Sequence, residues 1–315
     1  MEKQRDTFVD VAKGIAMLLV VRIHTEVFGT IHAPYPIIAV PLFFFLSGFY
    51  DNTDKPLKVW LPKAFRSLFL TGIIWALITI FYSSLLNYLK DRTINLGRLY
   101  EMLWTGGGVM WFLFALFWAK CGMWIVGKSR LPVWIALPLL LVWAVLVPRI
   151  NLPLLLDEGI AALPFYYLGH VLYPWISKRH GGGLLLALIG MGCILLMPMS
   201  WFPWVLVPYS ADHPMLLYPL CFTMTVLSFF PVLWIGNRLS EWKWLSAYGT
   251  QTLGILVLHP LMLHTCAVAL NRLFVPGSVV WVAVFLMAYV LVCILSYYFS
   301  VWIGKHFPIL LGRKG

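Results

Sequence analysis

The stretch that decides the fold is TFVDVAKGIAMLLVVRIHTEVF, residues 7–28. It is long enough to cross a bilayer as a helix, because about 20 apolar residues span a hydrocarbon core of ~30 Å. It nevertheless carries five ionisable residues, Asp10, Lys13, Arg22, His24 and Glu26. An ionisable group near the bilayer centre costs about 2.5–3.5 kcal/mol or more, so such groups usually face the protein interior and have a function there. The stretch therefore predicts a membrane helix that carries functional polar groups.

The spacing of Lys13 and His24 places both side chains on one helix face. Eleven steps of about 100° bring the second residue back to within about 20° of the first, and the rise of ~1.5 Å per residue separates them by about 16 Å. Asp10 lies one turn before Lys13 and joins the same face. A structural alternative is an ion pair between Asp10 and Lys13 near the interface, with His24 as an ordinary interhelical hydrogen-bond donor.

The composition excludes a soluble domain, because 61% of the residues are hydrophobic and 11% are charged, and the mean hydropathy is +0.86. The expected fold is an all-α polytopic membrane protein with about ten transmembrane helices, in one integral-membrane domain over residues 1–315. The first apolar run lacks a small-residue cleavage site, so we expect it to be retained as an anchor. The predicted spans are residues 7–28, 36–50, 67–88, 109–127, 132–148, 159–176, 184–200, 215–236, 247–270 and 279–303.

Basic residues are distributed unequally between alternate loops. With the N-terminus placed in the cytoplasm, fifteen Lys and Arg fall in cytoplasmic segments and five fall in outer segments. This asymmetry follows the positive-inside rule and predicts that both termini are cytoplasmic. Topology and anionic membrane lipids thus explain the net charge of +11. No nucleic-acid partner is expected.

Metal and redox sites are disfavoured by the residue spacing. The five cysteines fall in apolar stretches without metal-binding or redox spacing, and we expect buried free thiols. The sequence has no HExxH motif and no paired acidic cluster, so no metal cofactor is expected.

Two further features precede the predicted third span. The run FFFLSGF, residues 43–49, contains Ser47 and Gly48, which are small enough to let another chain or a ligand approach closely. Ordinary helix packing explains this run equally well. Lys63 and Arg66 lie one turn apart at the expected cytoplasmic mouth, where they suit a phosphate-bearing ligand. Topology signalling and lipid head groups are the alternative explanation of that pair.

Taken in order, these motifs resemble integral-membrane acyltransferase family 3, which includes bacterial O-acetyltransferases of surface polysaccharides. The family opens with Asp, then Arg-Gly-Ile, and then a His that ten residues separate from that Arg, which resembles Asp10 through His24. Lys13 and Lys63 stand where the family usually has arginine, which keeps the charge but loses bidentate geometry. The other similar motifs are residues 43–49, the basic pair Lys63 and Arg66, Trp111-Phe112-Leu113, and the stretch from Gly249 to His259-Pro260.

The resemblance implies transfer of an acyl group, usually acetyl, from cytoplasmic acyl-CoA to a hydroxyl of a cell-surface or lipid-linked glycan at the bacterial inner membrane. Acetyl-CoA is then the donor substrate. Lys63 and Arg66 would attract its phosphates, and Lys13, oriented by Asp10, would hold a phosphate or the pantetheine arm. His24 would act as general base, with an acylated His24 nucleophile as the alternative.

Several residues would support His24 in this scheme. Ser47 or Arg22 would donate hydrogen bonds to the tetrahedral intermediate, and Ser47 and Asp10 complete the expected catalytic set. His259 or Tyr248 would bind the other imidazole nitrogen. Glu26 and Trp111 are further candidates for contacting or supporting the acceptor.

A transporter or flippase for an anionic lipid-linked sugar is the alternative function. It would also need intramembrane charge and a basic mouth, but it would not require acyl-CoA. The acceptor, the acyl chain and the oligomeric state, a homo-oligomer included, stay open from the sequence.

Overall fold

The computed structural model describes residues 6–25, 38–51, 53, 55–92, 97, 106, 108–147, 152–179, 181–196, 217–273 and 279–313. Helices account for most of these residues, and none of them lies in a β-strand, which confirms the expected all-α fold. Large apolar side chains are exposed on the helix surfaces, for example Phe81 at 72% and Leu196 at 81%. Exposure of this kind is expected where lipid, and not water, surrounds the protein.

Two of the helices follow each other without a break. A π-helical turn, Phe65–Leu70, links α3 directly to α4. In chain order the helices are α1 (Thr7–Ile23), α2 (Ala39–Gly48), α3 (Leu57–Ala64), α4 (Thr71–Asp91), α5 (Trp111–Ser129), α6 (Val133–Leu146), α7 (Leu156–Lys178), α8 (Leu184–Leu196), α9 (Tyr218–Leu227), α10 (Phe230–Arg238), α11 (Lys243–Thr250), α12 (Thr252–Leu273) and α13 (Val279–His306).

Within the described residues, five helical stretches are long and apolar enough to cross a membrane. They are Leu57–Leu86, Gly108–Ser129, Tyr218–Arg238, Thr252–Leu270 and Val280–His306. Shorter apolar helices cover Ala39–Gly48, Val133–Leu146 and Leu184–Leu196. Each of the ten predicted spans contains a helix. The number of membrane crossings and the cytoplasmic position of the termini stay predictions.

The chain divides into two compact units. Unit 1 comprises residues 1–49, 168–204 and 209–301, and unit 2 comprises residues 50–167, 205–208 and 302–315. A compact unit defined by its internal contacts is not by itself an independent domain. The single domain expected over residues 1–315 therefore stays a prediction.

Unit 1 is built around α1, which packs against α2, α10, α11 and α12. Of these four helices, α11 packs most closely against α1. A Cβ at Gly14 would lie 2.6 Å from the Leu245 carbonyl oxygen, and a Cβ at Gly249 would overlap the carbonyl of Asp10. Small residues at both sides of a helix crossing let the two backbones approach this closely. The glycines of the two sequence motifs thus hold α1, and with it Lys13 and His24, in one fixed position.

Unit 2 is built around the π turn, which packs against α5 as well as its neighbours α3 and α4. Aromatic side chains fill this contact. The Phe69 ring lies 5.1 Å from the rings of Phe114 and Phe117, centroid to centroid, and stacks on Phe65 at 5.2 Å. This aromatic cluster fixes the helical segment that carries Lys63 and Arg66.

Candidate active site

Helix α1 carries the two residues on which the expected chemistry depends. It runs without a break from Thr7 to Ile23, and His24 follows in a tight turn at its C-terminal end. Lys13 and His24 are thus separated by about 16 Å along the axis, as the sequence predicted. Both are partly exposed, whereas Asp10, one turn before Lys13, is buried.

His24 lies beside His259 of α12. The Nδ1 atom of His24 lies 2.9 Å from the Val20 carbonyl oxygen and 3.3 Å from Nε2 of His259. The two rings meet edge to face, with centroids 4.9 Å apart and an interplanar angle of 67°. His259 is fully buried, and its own Nδ1 lies 2.9 Å from the Ile255 carbonyl oxygen. The structure thus joins two histidines that are 235 positions apart.

These contacts determine the tautomer of a neutral pair. A carbonyl oxygen can only accept a hydrogen bond, so His259 Nδ1 must carry the proton that it donates to Ile255. Its Nε2 then has a lone pair and accepts from His24 Nδ1. His24 Nδ1 faces two acceptors, Val20 O and His259 Nε2, and therefore carries the proton. The lone pair of His24 lies on Nε2, which is the arrangement that a general base needs.

Arg22 contacts Thr25 and the Phe285 ring. Its Nη1 donates to the Thr25 hydroxyl, and that hydroxyl in turn donates to the Arg22 carbonyl at 2.7 Å. The guanidinium carbon lies 5.8 Å from the centre of the Phe285 ring on α13, within the range of a cation–π contact. Arg22 therefore sits close to His24 in the chain, with its charge held against α13.

Ser47 lies at the other end of α1. Two residues further along the chain, the Phe49 ring lies 5.0 Å from the ring of Tyr173, and the Tyr173 hydroxyl donates to the carboxylate of Asp6. Asp6 precedes the first turn of α1, about 27 Å along the axis from His24. The Ser47 hydroxyl donates to the Phe43 carbonyl at 2.7 Å, within its own helix. The sequence predicted that Ser47 acts beside His24. The structure instead places Ser47 near the opposite end of α1.

Lys63, Arg66 and Trp111 belong to unit 2. Lys63 is exposed at the end of α3, and Arg66 is half-buried in the π turn, one turn further on. Trp111 begins α5, and its backbone Cα lies so near Gly106 that a Cβ there would approach it to 2.6 Å. Glu26 lies outside the described residues.

One charged cluster that the sequence did not predict involves a lysine inside a membrane-length helix. Lys120 of α5 lies 2.7 Å from the Asp51 carboxylate, and its Nζ lies 3.4 Å from the Tyr166 hydroxyl. The Asp51 side chain is 8% exposed. A lysine in the middle of an apolar span was the available signal, because such a charge needs a partner, but sequence spacing does not reveal that the partner is Asp51.

No group of three or more His, Cys, Asp or Glu side chains that could hold a metal ion occurs among the described residues.

Comparison with known families decides the class of the protein. The profile of the acyltransferase domain of family 3 matches residues 6–303, nearly the whole chain. The chain belongs to acyltransferase family 3. Membership supports a membrane acyltransferase in general, and it confirms the resemblance seen in the sequence motifs. Comparisons with curated proteins and with solved structures gave no match.

Proposed function

We propose that the protein transfers an acetyl or other short acyl group from cytoplasmic acyl-CoA to a hydroxyl of a cell-surface or lipid-linked glycan, in the bacterial inner membrane. The observation that carries this proposal is the hydrogen bond between His259 Nε2 and His24 Nδ1, which leaves the lone pair of His24 on Nε2. Family membership supplies the reaction class. The donor, the acceptor and the role of His24 are the proposed parts.

In the proposed reaction, the oxygen of the acceptor hydroxyl attacks the thioester carbonyl, and His24 Nε2 takes the hydroxyl proton. The tetrahedral intermediate collapses with cleavage of the carbon–sulfur bond, and the CoA thiolate leaves. The imidazolium of His24 then gives its proton to that thiolate, which restores the neutral base and yields the acyl ester and free CoA. His259 accepts from His24 Nδ1 in both the neutral and the protonated ring, so Nε2 is the nitrogen that gains and loses the proton.

Arg22 is the cation that we assign to the negative charge of the intermediate. It lies two residues before His24, and its guanidinium has several N–H donors in a rigid plane. Ser47 is not part of this step, because it lies near the opposite end of α1. A preorganised donor near the developing oxyanion lowers the barrier, because it needs no reorientation during the reaction.

Lys13 is the donor-binding residue of unit 1 in this proposal. A positive charge about 16 Å from His24 along α1 suits a ligand with an anionic group at one end, a long neutral arm and a reactive thioester at the other end. Acyl-CoA has this construction. Lys63 and Arg66, within unit 2, are a separate proposal: a basic pair that suits the phosphate groups of the donor.

The experiment is release of free CoA from acetyl-CoA by purified protein in lipid nanodiscs without an acceptor, where water is the slow substitute. We expect His24→Gln to lower this rate by about 10²-fold or more, since general-base catalysis contributes about 10²–10⁴-fold. CoA binding should be retained. His264→Gln, on the same helix as His259, is the matched histidine control and should remain near the wild-type rate.

Two outcomes would contradict the proposal. Undiminished CoA release by His24→Gln would remove His24 from the chemistry. Absence of both CoA binding and CoA release in the wild type would remove acyl-CoA as the donor.

A further inference from the structure

The segment that follows α13, residues 307–313, folds back on α4 and on the π turn that contains Arg66. The indole Nε1 of Trp75 donates to the Leu310 carbonyl at 2.7 Å, and Leu311 is 2% exposed. Within the segment, the Arg313 amide donates to the Pro308 carbonyl at 3.0 Å. These contacts fix the backbone of Arg313 although its side chain is exposed.

Gly312 brings this segment into direct contact with the π turn. Its φ of +64° lies in the left-handed region, which favours glycine. A Cβ built on Gly312 would lie 3.1 Å from the Arg66 carbonyl oxygen and would overlap the Cα of Ser67. Consecutive Cα atoms are about 3.8 Å apart, so the backbone of Arg313 begins one residue from this contact. The backbones that carry Arg313 and Arg66 are therefore neighbours.

The π turn is itself an unusual element at this position. The Thr71 hydroxyl donates to the Arg66 carbonyl at 3.1 Å, across five residues. Single π turns inside longer helices are rare and are frequently found at functional sites, because the extra residue changes the direction of the side chains. Here the turn contains Arg66 and starts two residues after Lys63.

The charges of the two neighbouring segments all have the same sign. Residues 57–75 and 300–313 contain no Asp or Glu, whereas they contain Lys58, Lys63, Arg66, Lys305 and Arg313. Like charges on adjacent segments repel each other, and an anion that bridges them offsets this repulsion. Arginine in particular suits phosphate, because its planar fork makes two parallel hydrogen bonds.

We propose that Arg313 is a phosphate-binding residue that completes, with Lys63 and Arg66, a site for the phosphate groups of the acyl donor. The inference rests on the proposed function, which makes acyl-CoA the donor. The family profile ends at residue 303, so Arg313 is assigned by the packing of residues 307–313 on the π turn and not by a family motif.

Two other roles of Arg313 have distinct consequences. Its guanidinium lies over Gly304, with Nη1 2.6 Å from a Cβ built there, near the C-terminal end of α13, where a cation also stabilises the helix end. The phosphate of an anionic lipid head group has the same chemistry as the phosphate of the donor. The experiment must therefore separate a helix cap, a lipid contact and a donor contact.

The experiment measures the Kd of CoA, 3′-dephospho-CoA and pantetheine for protein in phosphatidylcholine nanodiscs. We expect Arg313→Gln to weaken CoA binding about tenfold, the effect of one charge-assisted hydrogen bond. Pantetheine binding should change less than about twofold, because pantetheine has no phosphate. Arg313→Lys should recover part of the affinity. Arg130→Gln, which removes an exposed arginine of the same unit, is the matched control and should leave all three Kd values unchanged.

Each other outcome overturns the proposal. An equal loss of affinity for CoA and pantetheine, together with a lower melting temperature, would identify Arg313 as a helix cap. An effect that appears only in nanodiscs with phosphatidylglycerol would identify a lipid contact. If Arg313→Gln binds CoA like the wild type, this inference fails and the proposed function stands. If the wild type itself binds none of the three ligands, the proposed function fails first.

Discussion

His259 Nε2 lies 3.3 Å from His24 Nδ1, and the two rings meet edge to face. His259 is fully buried on α12, and its second nitrogen is bonded to the Ile255 carbonyl of its own helix. Its orientation is therefore fixed before any substrate binds. His24 follows the last residue of α1, and its Nδ1 also faces the Val20 carbonyl of α1, so His259 is the contact that joins its ring to another helix. We regard His259 as a positioning residue for His24.

The first prediction concerns this positioning. His259→Phe removes one of the two acceptors that face His24 Nδ1, leaves the Val20 carbonyl, and keeps a ring of similar size. We expect kcat to fall about five- to tenfold or more, since one such hydrogen bond contributes about 1–1.5 kcal/mol. His259→Gln can place an amide oxygen near the former Nε2 and should recover part of the rate. The measurement is kcat for acetyl transfer, with the Kd of CoA as the readout that a positioning role leaves unchanged.

A parallel fall in CoA affinity and kcat in both His259 variants would argue against positioning. It would indicate that the change disturbs the packing of α1 on α12. The partial recovery by glutamine is the decisive feature, because a purely structural role gives no reason for glutamine to act better than phenylalanine.

The second prediction separates a general base from a nucleophile. In the proposed reaction no acyl group is bonded to the protein, so brief incubation with isotopically labelled acetyl-CoA and acid quenching should leave His24 unlabelled. Peptide mass spectrometry checks this. An acetyl group on His24 that forms and decays at the rate of turnover would establish the nucleophilic route instead.

The third prediction concerns Lys13, which stands where the family usually has arginine. If Lys13 binds an anionic part of the donor, Lys13→Met should raise the Kd of CoA about tenfold. Lys13→Arg keeps the charge and adds bidentate geometry, so it should retain or strengthen binding. Equilibrium binding to nanodisc-embedded protein checks both variants. Unchanged binding by Lys13→Met would leave Lys13 with a structural role.

The sequence predicted the helical class and the positions of Lys13 and His24, because both depend on local regularities. Apolar runs of membrane length can be recognised, and positions along a helix can be calculated from a rise of ~1.5 Å per residue, without knowledge of tertiary packing. The sequence left His259 and Tyr248 as alternative partners of His24, one within the late glycine motif and one directly before it. Choosing between them required the packing of α12 on α1, which spacing within one helix does not determine.

The location of Ser47 could not be predicted from the local sequence. Its motif suggested a contact with the chemistry, yet α2 places it with Phe49 beside Tyr173 and Asp6, at the other end of α1. The direction in which one helix returns along another is a tertiary property. The same holds for the contact of Gly312 with the π turn, because residues 307–313 have no periodic pattern that would predict it.

The fourth prediction tests the crossing of α1 and α11. Gly249→Ala places a methyl group where the Asp10 carbonyl lies, so the helices must separate. Overpacking of this kind costs about 1–3 kcal/mol. Gly192→Ala on α8 is the matched control, because a Cβ there meets nothing within 4 Å. Gly192→Ala should be neutral or slightly stabilising, because alanine is more favourable than glycine inside a helix by about 0.5–1 kcal/mol. Melting temperatures of the two variants in the same detergent check this, and equal values would contradict the close crossing.

The last prediction concerns the ion pair of Lys120 and Asp51 in unit 2. The Asp51 side chain is 8% exposed, so Lys120→Met leaves a carboxylate largely buried without its cation. We expect a loss of stability of about 1–3 kcal/mol, because the Lys120 side chain is 28% exposed and the pair is only partly buried. The double variant Lys120→Met with Asp51→Asn removes both charges and should be more stable than Lys120→Met alone. A double-mutant cycle on the free energies of unfolding measures the coupling between Lys120 and Asp51, which we expect to exceed about 1 kcal/mol. Additive effects would show that the two groups, 2.7 Å apart in the structure, contribute independently.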